Sequence, residues 1–259
     1  MKSILGYLLA GIAAYLVFLA VQFPADRAYA LLAQRLDLPV ALYQLEGSAW
    51  RGEARELFWE GRRLGRVTWQ FRPQSLVLGR LEARVHLTPT ASSRLEAVAG
   101  RRWDGALYLR AGDARLSLAE LEPLFNRDPM GLTGILTVTL EELDIEAGRI
   151  TALRGRAVIE KAGLAPPVDV TVGGFEVDFD LNPEGFIEAR LKDRGGPLQA
   201  QGQLRIQPDG SYRLSATLAA RDPRRSDIRQ ALGYLGTPGP DGRISLVRTG
   251  KWAFLRTGH

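Results

Sequence analysis

At 259 residues and 46% hydrophobic composition, the chain is long enough to bury a sizeable core in one or two domains. It has no cysteine, which excludes disulfides, cysteine-ligated zinc and thiol nucleophiles, and it has only two histidines. The whole net charge of +5 resides in 221–256, where Arg221, Arg224, Arg225, Arg229, Arg243, Arg248, Lys251 and Arg256 stand against Asp222, Asp227 and Asp241; such a stretch is either a solvated face or a surface for an anionic partner.

Residues 4–23, ILGYLLAGIAAYLVFLAVQF, carry no charge and hold eleven Leu, Ile, Val or Phe. As a helix rising about 1.5 Å per residue they reach roughly 30 Å, the thickness of a bilayer's hydrocarbon core. The segment has no polar stripe of the kind a buried core helix shows, and it reads as a transmembrane anchor. A cleaved signal peptide is the rival, because Ala28-Tyr29-Ala30 offers an A-x-A site, although the apolar run is longer than signal peptides use. Lys2 precedes the span while Asp26 and Arg27 cancel after it, so residues 1–3 are expected in the cytoplasm and the remainder outside, in the periplasm of a Gram-negative cell.

Residues 24–38 read as a short linking helix that Pro39 stops, and 39–259 as one β-rich body. There the period changes to two. Phe175, Val177, Phe179 and Leu181 alternate with Glu176, Asp178 and Asp180; Tyr212, Leu214, Ala216 and Leu218 alternate with polar residues. Strands that bury one side favour an antiparallel sheet. Further strands are expected near 40–46, 54–60, 64–72, 77–87, 102–110, 132–140, 150–160, 185–192, 198–207 and 243–249. Turn signals between them are Glu60-Gly61, Ala147-Gly148, Asn182-Pro183-Glu184-Gly185 and Pro208-Asp209-Gly210. Helices are expected at 118–125 and 223–235, the second with Pro223 in its first turn and Gly236 at its close. A weak echo between 50–69 and 133–158 suggests two or three similar hairpin layers. The fold class is therefore mainly β, a curved antiparallel sheet of consecutive hairpins with a few short helices after an N-terminal span.

Residues for chemistry are sparse. His86 sits mid-strand with no second histidine or Gly-x-Ser-x-Gly elbow to make a triad. Glu141-Glu142, Asp178 and Asp180 are placed as solvated strand residues rather than a glycosidase pair. No phosphate loop occurs, and the glycines at Gly100 and Gly112 lack the context of a nucleotide site. No catalytic, metal or cofactor residues are assigned, no cofactor is expected, and no nucleic-acid-reading module is visible.

Two stretches exceed generic strand logic. One is Gly47-Ser48-Ala49-Trp50-Arg51-Gly52 with Trp69 downstream; the other is Gly195-Gly196-Pro197-Leu198 with Gly233, Gly236, Gly242 and Arg243. In order and spacing they resemble the type II secretion system protein N family over nearly the whole chain. The resemblance implies a single-pass protein of the bacterial inner membrane with a periplasmic body, an accessory part of the machine that exports folded proteins across the outer membrane. It carries over no catalytic residues. Trp50 and Trp69 are expected to cover the sheet's apolar face, with a partner-facing surface the alternative.

Two functions remain open. In one, the chain is an assembly subunit that meets inner-membrane platform proteins through an open edge strand or through Arg224, Arg225, Arg229, Arg243 and Arg248. In the other, it handles phospholipid on an uncovered apolar face that includes Phe175, Val177 and Phe179, by architectural analogy with AsmA and TamB proteins.

Overall fold

The computed structural model describes residues 22–33, 40–59, 61–90, 92–125, 131–166, 169–233 and 236–251, with isolated positions 7, 11, 12, 15, 18 and 19 before them. Most of the expected anchor lies outside these residues, as does 34–38 of the expected linking helix. Tyr7, Gly11, Ile12, Tyr15, Phe18 and Leu19 are helical. Among the described residues no helix is long and apolar enough to cross a membrane. The chain divides into two compact units, Met1–Ala91 and Ser92–His259.

The first unit comprises α1 (Ala25–Ala33), β1 (Val40–Gly47), β2 (Arg51–Trp59), β3 (Arg62–Phe71), α2 (Gln74–Val77) and β4 (Arg80–Thr88). Its strands pair antiparallel in chain order, as alternating sequences joined by short turns should. A bulge after Ala54 shifts the β2–β3 register, and Ala54 itself is fully buried with Val67. The strand expected at 77–87 begins later. Residue 77 ends α2 and 78–79 form a turn, because the Ser75 hydroxyl satisfies the Arg72 carbonyl and closes a helical turn there.

The second unit runs β5 (Arg94–Arg102), β6 (Leu107–Ser117), α3 (Leu118–Phe125), β7 (Leu132–Glu146), β8 (Arg149–Leu164), β9 (Val170–Leu181), β10 (Ile187–Asp193), β11 (Leu198–Ile206), β12 (Ser211–Ala220), α4 (Ser226–Gly233) and β13 (Ile244–Lys251). These strands also pair antiparallel in chain order. The echoed segments are β2–β3 and β7–β8, one hairpin in each unit, and both continue into a meander. Ala147-Gly148, Asn182-Pro183-Glu184-Gly185 and Pro208-Asp209-Gly210 each close a hairpin, and Gly61 lies between β2 and β3, with Glu60 outside the described residues; Asn182 Oδ1, for example, accepts from Phe186 N at 2.9 Å and Glu184 N at 3.1 Å.

Two further sequence expectations are corrected, and one strand is added. The strand at 102–110 straddles the β5–β6 turn, where Arg102 N donates to Ala106 O at 2.8 Å, and β5 itself was not foreseen. A bulge between Glu96 and Val98 breaks its alternation, so period two cannot reveal it. Pro223 lies in the turn before α4, since Ser226 opens that helix.

The core of the second unit forms where α4 lies on the sheet. Ile228 and Leu232 join Phe175, Ala200, Leu218 and Ile244, with Ile228 1% and Ile244 2% exposed. Each of these isoleucines contributes about 2–3 kcal/mol by leaving water. Phe175 therefore belongs to a closed core and does not line an open groove, whereas Val177 and Phe179 are half-buried.

Candidate functional site

The first motif builds a joint. Gly47 and Gly52 face each other at the end of β1 and β2, and Ser48–Arg51 turn between them. Gly47 has φ +87 and a Cβ there would come within 2.6 Å of the Arg51 carbonyl oxygen, so only glycine fits. Ser48 N donates to Arg51 O at 2.9 Å, and Arg51 N donates to Ser48 Oγ at 3.2 Å. The turn leaves Ala49 N pointing outward, and it donates to the Phe23 carbonyl at 2.8 Å; Pro24 bridges Ser48. Phe23, the last residue of the apolar run, is thus hydrogen-bonded to the β1–β2 turn. From there α1 lies against β1, with Ala25 buried and the Tyr29 hydroxyl bonded to Val40 O and Leu42 N, both at 3.2 Å. Trp69 completes the joint: its Nε1 donates to Ala49 O at 3.1 Å, and its ring occupies the space a Cβ at Gly52 would need. Trp50 packs against Phe71 in a tilted contact, 4.8 Å between ring centroids, but remains 36% exposed. Trp69 thus packs over Gly52, while Trp50 rests on Phe71 and stays partly exposed.

The second motif builds a corner between β10 and β11. Gly173 and Gly196, both at positive φ, bring two backbones together so closely that a Cβ on Gly196 would sit 2.8 Å from Gly173 Cα. Asp193 closes the corner by accepting from Gly195 N at 3.2 Å and Ala200 N at 3.3 Å, and by pairing with Arg221. Arg221 also donates from Nε to Gly196 O and from its backbone N to Pro197 O, at 2.9 and 2.8 Å. Leu198 packs on the core beside α4. Gly233 ends α4, Gly236 lies where a Cβ would come within 3.1 Å of Ile244, and Gly242, at φ +72, and Arg243 form the turn into β13. The corner and this turn thus flank the α4 core.

Where the sequence raised chemistry, the structure shows ion pairing across strands. Asp178 accepts from Arg156 Nε at 2.7 Å, Asp180 lies 3.7 Å from Arg190, and Glu188 lies 2.7 Å from Arg205. Arg205 holds the Glu188 carboxyl below its usual range. Glu141 and Glu142 are neighbours on β7, and His86 lies opposite Thr68 in β4. Gly100 and Gly112 are strand glycines opposite Tyr108 and Leu140. Among the described residues no group of three or more His, Cys, Asp or Glu is placed to hold a metal. Of the basic candidates, Arg224, Arg225 and Arg229 sit on the approach to α4 and on the helix, while Arg243 and Arg248 belong to the β13 segment. Arg225 pairs with Asp227 at 2.6 Å and Arg243 with Asp241 at 3.5 Å, which divides the patch and partly neutralises it.

One buried polar cluster escaped the sequence reading. Asp144 is 8% exposed, takes a 2.8 Å hydrogen bond from Arg102, and lies 2.5 Å from Arg110 through its other oxygen. Both guanidiniums lie over the Tyr108 ring, at 5.9 and 5.4 Å from its centroid. The Arg110 guanidinium lowers the Asp144 carboxyl against the opposing effect of burial. The β5–β6 and β6–β7 pairings bring these residues together, so no local spacing signals them.

The family model for type II secretion system (T2SS), protein N, matches residues 39–247, which contain both motifs. Three relatives, each called type II secretion system protein N, match over most of both chains. The protein from Vibrio cholerae is 23% identical over 97% of this chain and all of its own. That from Aeromonas hydrophila is 27% identical over 92% and 94%, and that from Klebsiella pneumoniae 27% over 96% and 95%. No solved structure matches the chain. With the family model covering most of its length, this chain belongs to the type II secretion system protein N family.

Proposed function

We propose that this secretion-system component is an accessory inner-membrane subunit with a structural role in assembly. Residues 4–23 hold it in the membrane as a single pass, with the N-terminus in the cytoplasm and the β-rich body in the periplasm. The joint carries this reading: Phe23 and Pro24 are bonded to Ala49 and Ser48, so a force on the apolar run passes directly into the sheet. Cleavage after Ala30 would remove Phe23, Pro24, buried Ala25 and Tyr29 from the fold, which favours a retained anchor over a signal peptide. The body works without cofactor or catalytic residue.

Partner docking falls to β13, which has β12 as its one strand neighbour among the described residues and leaves Ser245, Val247 and Arg248 exposed. Such an edge accepts an added strand, and Arg224, Arg225 and Arg229, before and on α4, lie in the same unit. Inner-membrane platform proteins of the secretion machine are the partners this geometry suits; no nucleic acid is involved. The phospholipid reading keeps one observation in its favour: Val177, Phe179, Leu140 and Leu204 lie on strands of the second unit yet are only half-buried. Photo-crosslinkers at Val247 and Arg229 in intact secreting cells decide between them. Adducts with inner-membrane proteins support assembly; lipid adducts alone transfer the case to the phospholipid reading.

A further inference from the structure

The β3–β4 connection of the first unit has its polarity reversed. Ser75 is buried, its hydroxyl donating to Arg72 O at 2.6 Å, and the Arg72 guanidinium is held by Glu82 at 2.9 Å. Leu76, Val77 and Leu78 are instead 39%, 89% and 72% exposed, with Leu81 at 52%. The loop is well fixed: Leu78 N donates to Ser75 O and Gly79 N to Leu76 O, both at 3.0 Å, and Arg72 N to Glu82 O at 2.8 Å. A fixed turn that directs its serine inward and three successive aliphatic side chains outward suits a nonaqueous neighbour.

Its position in the sheet identifies that neighbour. The β1–β2 turn and the β3–β4 loop lie at the same end, because Arg51 stands opposite Gln70 and Phe71 N donates to Trp50 O at 2.6 Å. That same turn receives Phe23 and Pro24, where the apolar run ends. The exposed loop therefore lies at the end of the sheet from which the run departs. Trp50 lies at this end, an aromatic of the type enriched at membrane interfaces, and Arg51 and Arg80 are exposed there, with charge suited to anionic headgroups. Thr88 lies at the opposite end of β4, about 27 Å away along the strand.

We propose that Leu76, Val77 and Leu78 insert into the outer leaflet of the membrane that 4–23 crosses, giving the first unit a second point of attachment beside its anchor. The inference rests on the anchor reading above. A body held by one helix is free to swivel; a second apolar contact removes that freedom and fixes how the sheet stands on the membrane.

Because the natural chain contains no cysteine, single cysteines report cleanly. Full-length chains carrying Ala14→Cys, Val77→Cys or Thr88→Cys are labelled with an environment-sensitive fluorophore. They are then reconstituted into phosphatidylethanolamine–phosphatidylglycerol vesicles containing lipids brominated along the acyl chain. The expected result is at least a twofold loss of emission at positions 14 and 77 and none at 88. Quenching at 14 without quenching at 77 overturns the loop insertion and leaves the anchor standing. Absence of quenching at both overturns the anchor, and the loop insertion with it. Leu78→Cys serves as a second loop reporter, and circular dichroism verifies that each variant is folded.

Discussion

The Phe23 carbonyl accepts a hydrogen bond from the Ala49 amide at 2.8 Å, joining the chain two residues before α1 to the turn after β1. With the Pro24–Ser48 bridge, buried Ala25 and the two bonds of the Tyr29 hydroxyl, it ties residues 23–29 to the strands of the first unit. At about 1 kcal/mol for each hydrogen bond, a chain beginning at residue 31 should have a first unit about 3–4 kcal/mol less stable than one beginning at residue 22. Urea unfolding followed by tryptophan fluorescence measures it, since Trp50, Trp59 and Trp69 all report on this unit. Equal midpoints for the two truncations would show that the joint bears no load.

The corner at Gly195-Gly196-Pro197 separates two effects that glycine substitutions usually mix. Gly195 has φ +86 with open space where a Cβ would go, whereas Gly196 has φ +117 with Gly173 Cα only 2.8 Å from that position. Gly195→Ala should cost about 1–2 kcal/mol, the penalty of a left-handed alanine. Gly196→Ala must in addition push two backbones apart, and should cost about 3 kcal/mol or more. Denaturant midpoints of the two variants should differ in that order.

Glu122 is 4% exposed and accepts from Gly131 N at 3.2 Å and Leu132 N at 3.1 Å with one oxygen, fixing the entry to β7. Glu122→Ala leaves both amides without this partner and should cost about 2–3 kcal/mol, while Glu122→Gln keeps an acceptor and should lose less. Hydrogen exchange at Leu132 should accelerate in the alanine variant before it does elsewhere in β7.

Strands that keep strict alternation were legible from residues alone: β9 and β12 show it in Phe175 to Leu181 and Tyr212 to Leu218, and their turn signals fell where hairpins close. What failed was local bulging and inverted polarity. The bulge in β5 shifts Val98 out of phase, so its apolar residues form no readable row. Val77-Leu78 reads as the start of the strand expected at 77–87, yet with Leu76 it forms the end of a helical turn and a following turn whose apolar side chains face outward, an arrangement no rule of hydrophobic burial anticipates. The motif glycines were recognisable as a pattern, but the closeness of Gly173 to Gly196 depends on tertiary approach. The Asp144 cluster was invisible for the same reason.

That cluster supplies a pH signature. Arg110, and then Arg102, hold the Asp144 carboxyl below the ordinary value of about 3.9, so its folded form stays ionised where the unfolded chain begins to bind a proton. A depressed carboxylate contributes stability that is fully present above the unfolded value and is lost as pH falls through the folded one. Asp144→Asn removes the charge at every pH, takes the paired carboxylate from Arg110 and leaves Arg102 with Glu146 at 3.6 Å; at pH 7 it should cost about 2 kcal/mol. The gap between natural chain and variant should stay constant from pH 7 to about 5 and narrow as pH drops below about 4. Asp209, held near 2 by the Ser211 hydroxyl and amide and by Lys251, and Asp227, held near 2 by Arg225, steepen the acid limb of both proteins equally. The difference between the two unfolding curves therefore isolates Asp144, and a gap that persists unchanged to pH 3 would mean that its ion pairs contribute nothing to folding.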